Sequence, residues 1–274
     1  MLRRIPHIIL VLATAALTAC VSELDSPRST QQGSFAIHLA ADSLAVDIET
    51  RAARLLSGTE AEAFFLTLTQ DNETLWQHKA YATITDADRT QPLGQGYILT
   101  AENITADEAE TLNDGWGARR YAGSSEPFGI TAGQTTYVTV PCRMTNAGLC
   151  VTFDDSFTSY FTDYAVTTDD RRTLKFNGTN AAAFDANRQL TAGTIAYYNP
   201  SADDGSHTVD LFITASAGWE GTVRLHRSLT LQAGKIIRLR VKLNGTEPTE
   251  GNITLTVTYD DTFDEQPGEE VLLE

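Results

Sequence analysis

Ile237, Leu239, Val241 and Leu243 share one parity of the chain, and Arg238, Arg240 and Lys242 share the other. A period of two sends successive side chains to opposite faces of an extended strand, so this stretch can bury its apolar set only as β-structure. The same alternation sets Thr136, Val138, Val140 and Cys142 against Tyr137 and Thr139, and Phe64, Leu66 and Leu68 against Phe65 and Thr67. Phe35, Ile37 and Leu39 share one parity while Leu44, Val46 and Ile48 share the other, so a bulge or turn within Ala40–Ser43 is expected to keep both sets on the core side. Thr, at 38 of 274 residues, is the commonest β-branched residue, in keeping with a pleated surface. Helix is expected only in a short acidic stretch, 102–114 (ENITADEAETLND), capped by Thr105. The expected fold class is all-β.

The chain echoes itself. Thr131-Ala132-Gly133 opens the alternating run that ends at Cys142, and Gln232-Ala233-Gly234 opens the one that ends at Leu243. Turn-rich segments follow each run, and then Val151-Thr152-Phe153-Asp154-Asp155-Ser156-Phe157 is answered by Val257-Thr258-Tyr259-Asp260-Asp261-Thr262-Phe263. Two copies are too few for a solenoid and suit two β-sandwich domains of similar build, 34–144 and 145–274, divided near Thr145-Asn146. The second echo leaves one strand over, Ile253–Tyr259, which either closes its own sandwich or pairs with another subunit. The intramolecular strand is expected, because it satisfies the backbone without association entropy.

Residues 1–19 read as a signal peptide. Arg3 and Arg4 form a basic start, and Ile8–Leu17 forms an apolar stretch too short to span a bilayer. Leu17-Thr18-Ala19-Cys20 resembles a bacterial lipobox, in which cleavage falls before the cysteine and its thiol receives a diacylglycerol. Cys20 is therefore the expected lipidation site, and acyl chains such as palmitate would hold the protein to a membrane. Residues 20–33, polar with a Pro and a Gly, read as the lipidated tether.

The formal charge of −16, from 20 Lys+Arg against 36 Asp+Glu, argues against nucleic acid and anionic lipid headgroups as partners. His38, His78, His207 and His226 are scattered without HxH, HExxH or CxxC spacing, so no transition metal is expected. Asp154-Asp155, Asp169-Asp170, Asp203-Asp204 and Asp260-Asp261 lack the spacing of a calcium loop and read as turn acids. No nucleophile elbow, phosphate loop or dinucleotide fingerprint is present, and a glycosidase's carboxyl pair, about 5–10 Å apart, is a geometry that spacing does not supply. Neither a catalytic residue nor a cofactor is expected. Trp76, Trp116, Trp219 and Tyr197-Tyr198 could stack on sugars if exposed, although sandwich aromatics are more often core residues. Trp116, between two glycines in NDGWGARRY, is the expected exposed one and the candidate glycan contact. Cys142 and Cys150 either form a disulfide across the junction or are two independently buried thiols.

Several stretches together resemble the fimbrillin-like lipoproteins of Bacteroidetes, in particular one lipoprotein family within that group. They are Val46-Asp47-Ile48-Glu49-Thr50-Arg51-Ala52, Gly96-Tyr97-Ile98-Leu99-Thr100-Ala101, Tyr121-Ala122-Gly123-Ser124, the run Tyr137–Phe161 and the closing Ile253–Phe263. Ser22-Glu23-Leu24-Asp25 loosely resembles the acidic signal that carries such lipoproteins to the outer surface. The resemblance implies two transthyretin-like sandwich domains exported to the outer membrane, exposed at the cell surface, trimmed by a protease and assembled into fimbriae with other subunits by strand exchange. It also implies cleavage after an Arg beyond the first strand, for which Arg51 is the candidate. A structural or adhesive role follows as the expectation, with a glycan-binding lipoprotein serving polysaccharide uptake as the alternative.

Overall fold

The computed structural model describes residues 31–41, 54–185, 190–217 and 222–244, with the backbone of 253–260 and 269–271. Strands dominate, as the alternation requires. The N-terminal half carries β1 (Gln32–Ala41), β2 (Arg54–Leu55), β3 (Phe65–Gln70), β4 (Glu73–Ala80), β5 (Thr90–Pro92), β6 (Gly94–Glu102), β7 (Tyr121–Ser124), β8 (Phe128–Ile130) and β9 (Thr135–Met144). β1 lies between β9 on one side and β2 and β5 on the other, while β7, β6, β3 and β4 follow one another in the facing layer. β9 belongs to both layers, because it pairs with β1 along Thr135–Cys142 and with β7 at Arg143 and Met144. Phe35, Ile37 and Leu39 meet Leu66, Leu68, Leu99, Val138 and Val140 in a buried cluster between the layers. The bulge expected within Ala40–Ser43 and the Leu44–Ile48 strand fall largely outside the described residues.

The C-terminal half carries β10 (Ala147–Phe153), β11 (Asp163–Asp169), β12 (Lys175–Phe176), β13 (Ala183–Phe184), β14 (Leu190–Ala192), β15 (Ala196–Tyr198), β16 (Ser206–Ser216), β17 (Thr222–Gln232), β18 (Ile236–Leu243), β19 (Ile253–Asp260) and β20 (Glu269–Val271). One sheet runs β15-β10-β18-β19-β20 and another β12-β11-β16-β17, with β13 and β14 as a separate ladder. Ile237, Leu239, Val241 and Leu243 are buried in a second cluster with Val209, Leu211 and Ile213.

The echo in sequence is an echo in topology. β1 runs parallel to β9 through eight register pairs, and β10 runs parallel to β18 through six. In each half the first strand thus lies against the strand that follows the Ala-Gly turn. The turns match as well: Gln134 N donates to Thr131 O across Gly133 (φ 66°), and Lys235 N donates to Gln232 O across Gly234 (φ 81°). Glycine at the third position supplies the positive φ that a type II turn needs. β19 lies antiparallel to β18 from Ile253 to Asp260, so the backbone of the leftover strand is paired within its own chain.

Among the described residues α-helix is limited to single turns: α1 (Gly58–Ala61), α2 (Glu108–Thr111) and α3 (Asp155–Thr158). Thr105 caps the turn that leads into the second, since its Oγ1 accepts from Glu108 N (3.2 Å) while Glu108 Oε2 accepts from Thr105 N (2.8 Å); Asp107, directly before α2, makes no side-chain cap. The expected helix is nevertheless short, because Asn113 and Asp114 turn to positive φ (54° and 56°). Several acids serve as caps and turn locks. Asp154 accepts from Ser156 N (3.0 Å) at the start of α3 and also binds Arg240. Asp204 accepts from Ser206 N (2.9 Å), and Asp88 from Thr85 N (2.8 Å) and Lys79.

These contacts hold carboxyls below their ordinary range: Glu60 through the hydrogen bond from Arg54, Asp88 through that from Lys79, and Asp154 through the N–H of Ser156. A carboxyl depressed in the native state stabilises it fully above the unfolded pKa, about 4, and that contribution is lost as pH falls through the lower native value. Thermal melts should therefore hold from neutral pH to about pH 5 and drop steeply below about pH 4. Asp154→Ala should cost about 1 kcal/mol at neutral pH, and its deficit against the wild type should shrink in acid.

Candidate functional site

The seat of β1 is the most completely built feature of the N-terminal half. Phe35 is 1% exposed, stacked on Trp76 with ring centroids 5.5 Å apart and tilted against Phe128 at 5.4 Å. Ile37 and Leu39 are buried two and four residues further on, while His38 faces out. Beyond the ladder with β9, Phe35 N donates to Arg89 O (3.1 Å) and Leu39 O accepts from Leu56 N (2.8 Å). β1 is therefore an interior strand, and taking it away would leave a groove one strand wide between β9 and the β2–β5 side. The connection from β1 to β2, which contains Arg51, lies outside the described residues, as do Cys20 and the tether up to residue 30; Gln32 and Gly33, expected in the tether, belong to β1, where they pair with β5.

A second built region joins the halves. The loop after α2 carries Trp116, which is half-buried rather than open: its ring stands edge-on to Phe176 (5.0 Å, 78°) and packs on the C-terminal cluster. Its carbonyl accepts from Tyr197 N (2.8 Å). The expectation of an exposed loop aromatic is thus corrected: Gly115, with open space around it, supplies a positive φ (84°), and Gly117 serves close approach. A Cβ on Gly117 would lie 2.4 Å from Ala109 O, and its φ is 80°. The other candidate rings are also occupied: Trp76 and Tyr198 are buried and Tyr197 is half-buried at this junction, whereas Trp219 lies outside the described residues.

Arg172 is the clasp of the junction. Its guanidinium lies over the Tyr198 ring (4.5 Å) and donates to the carbonyls of Glu110 (2.7 Å), Gly115 and Tyr197. Glu110 in turn accepts from Arg171 (2.9 Å) and from Asn199 N (2.7 Å). Asn146, fully buried between β9 and β10, donates to Ala118 O (2.7 Å) and accepts from Arg120 N (3.1 Å). Beside the clasp, His207 lies 2.9 Å from both Asp170 Oδ2 and Ser201 Oγ and stacks on Tyr198. This trio has the composition of a hydrolase triad, but Ser201 N and Ala202 N both donate to Ser206 O. The donors next to the hydroxyl are engaged, where an oxyanion would need them. The trio supports the junction.

Cys142 and Cys150 are not joined by a disulfide. Cys142 sits in the N-terminal cluster, whereas Cys150 lies in a small cluster with Ala182 and Ile236 on the other side of its sheet. Burial pushes the Cys142 thiol up to about 12, so it holds no thiolate for exchange. Among the described residues no three His, Cys, Asp or Glu side chains converge as metal ligands, and no helix is long and apolar enough to cross a membrane.

Residues 31–273 match a family described as "Domain of unknown function (DUF4493)". Among solved structures, the chain is similar to a fimbrial assembly protein of Parabacteroides distasonis, at 10% identity and a TM-score of 0.45, covering 88% of this chain and all of that one. It is also similar to a fimbrial anchor protein of Porphyromonas gingivalis, at 8% identity and a TM-score of 0.38, covering 82% of this chain and 97% of that one. No curated protein matches the chain.

Arg172→Ala should strip three carbonyls of their donor and lower stability by about 2–3 kcal/mol. Limited proteolysis should then open the 106–117 loop. Arg172→Lys should not restore protection, because an ammonium cannot span carbonyls on both sides of the fork.

Proposed function

The chain belongs to the DUF4493 family, and from that premise we propose that it is a non-catalytic surface lipoprotein, a structural or adhesive component of fimbrillin-like build. The reading takes the halves as tandem sandwich domains, exposed at the cell surface and held to the outer membrane through lipid on Cys20 until cleavage after Arg51. The observation that carries it is the seat of β1. An interior strand that supplies Phe35, Ile37 and Leu39 to the core is joined to the rest of its domain by a connection containing Arg51.

Cleavage after Arg51 would leave β1 held by hydrogen bonds and packing alone. Each of its three buried apolar side chains contributes about 1.5–3 kcal/mol, so departure of β1 would leave a costly open groove. A strand from another subunit with the same alternation would close it, which is assembly by strand addition. β19 is a poor donor for that purpose, because it would first have to break its full ladder with β18.

The test begins with chemistry at the two named residues. Cys20→Ser should abolish labelling by a fatty-acid analogue and release the protein from the membrane fraction. Protein taken from assembled surface material should begin at Ala52 by mass spectrometry; material that still carries an intact 20–54 segment would refute the processing step. In solution, a chain starting at Ala52 should regain its melting temperature when a synthetic 32–41 peptide is added. The same peptide with Phe35→Ala should bind more weakly by about 3 kcal/mol or more.

A further inference from the structure

The outer face of β3, β6 and β7 holds a cleft of about 510 Å³, within the range of small-molecule sites. Its floor follows from register. Phe65, Glu102 and Ala122 form one cross-strand row, and Thr67, Thr100 and Ser124 form the next. These side chains alternate with the buried Leu66, Leu99 and Ala101, so they face outward, and all but Phe65 and Glu102 are small. The result is a shallow bed of hydroxyls with an aromatic wall.

The wall is built by a bulge. β3 pairs Leu66 with Lys79 and Leu68 with Trp76, so Gln77 and His78 together oppose Thr67. His78 has a φ of 47°, a region that non-glycine residues avoid, and its freed N–H donates to Thr67 Oγ1 (3.1 Å). The bulge lays the imidazole flat on Phe65, with centroids 4.2 Å apart and planes 7° apart. Bulges occur at sheet edges, where β4 lies, and beside functional sites, where they re-aim a side chain. Phe65 is the ring that lines the cleft, and the strained His78 backs it.

The charge at the cleft is compensated. Arg120 donates to Glu102 Oε2 (2.7 Å), Thr145 Oγ1 (3.2 Å) and Ile104 O (3.2 Å), and Glu102 Oε1 lies 3.4 Å from His78 Nδ1. Among the described residues that line the cleft, the charged ones are Arg120 and Glu102, and they pair with each other, so the fitting ligand is neutral. A ring with an apolar face for the wall and hydroxyls for the Thr67–Thr100–Ser124 bed has the chemistry of a pyranose. We propose that this cleft binds a sugar residue of a neutral polysaccharide. The site lies on the sheet opposite β1, so it stands or falls independently of strand exchange.

Saturation-transfer NMR of the full mature chain with cellotetraose, laminaritetraose, mannotetraose and maltotetraose tests the assignment. At least one should receive saturation on its ring C–H protons and bind with a Kd at or below about 1 mM. His78→Gly removes the support behind the Phe65 ring while giving the bulge a residue suited to positive φ, so its melting temperature should hold while binding weakens about tenfold or more. Ala122→Phe, which fills the bed, should do the same. No transfer to any of the four sugars, or undiminished binding in both folded variants, would overturn the proposal.

Discussion

Everything in the molecule is arranged around a parallel closure. A parallel pair cannot be made by a hairpin, so β1 and β9, and again β10 and β18, can meet only after the intervening chain has been laid out between them. Each buried cluster draws side chains from both members of its pair, and is complete only when the later strand lands beside the earlier one. The matched glycine turns ahead of β9 and β18 aim those strands into place. Closure at such sequence separation belongs to the slow end of folding, where loop entropy is lost before contacts repay it.

The junction follows from the same arrangement. β9 ends at Met144 and β10 begins at Ala147, so the halves are separated by only Thr145 and Asn146. With so short a connection, the neighbouring loops must be hydrogen-bonded rather than solvated. Asn146 binds the 118–120 backbone, and its carbonyl accepts from Gly234 N at the turn before β18. Arg172 and Glu110 extend that hold outward. The carbonyls they meet are satisfied, while Arg172 Nε is buried with no hydrogen-bond partner.

What the sequence disclosed is what local periodicity encodes. The parity of Ile237–Leu243 and of Thr136–Cys142 placed their inward residues correctly, and Thr105 was legible as a cap because capping acts within one turn. Cys150, on the opposite parity from Leu149 and Val151, is buried as well, because Ala182 and Ile236 cover that side of its strand. That cover comes from remote segments, and parity cannot report it. Trp116 looked exposed for a similar reason: glycines on both sides suggest a loop, and the partner ring, Phe176, is distant in sequence. The His78 bulge left no mark in the residue pattern at all. It exists only in the register of β3 against β4, which depends on which neighbours the strands find.

The parallel closure also decides how the molecule bears load. A pull that enters ahead of Gln32 and leaves beyond Met144 draws β1 and β9 lengthwise in opposite directions, because parallel strands place those two ends at opposite extremities of the ladder. All eight register pairs are then strained together in shear, where a hairpin pulled from its open end would yield one pair at a time. The same holds for β10 and β18 in the C-terminal half. Each half thus carries such a pull through its parallel pair as a tension member.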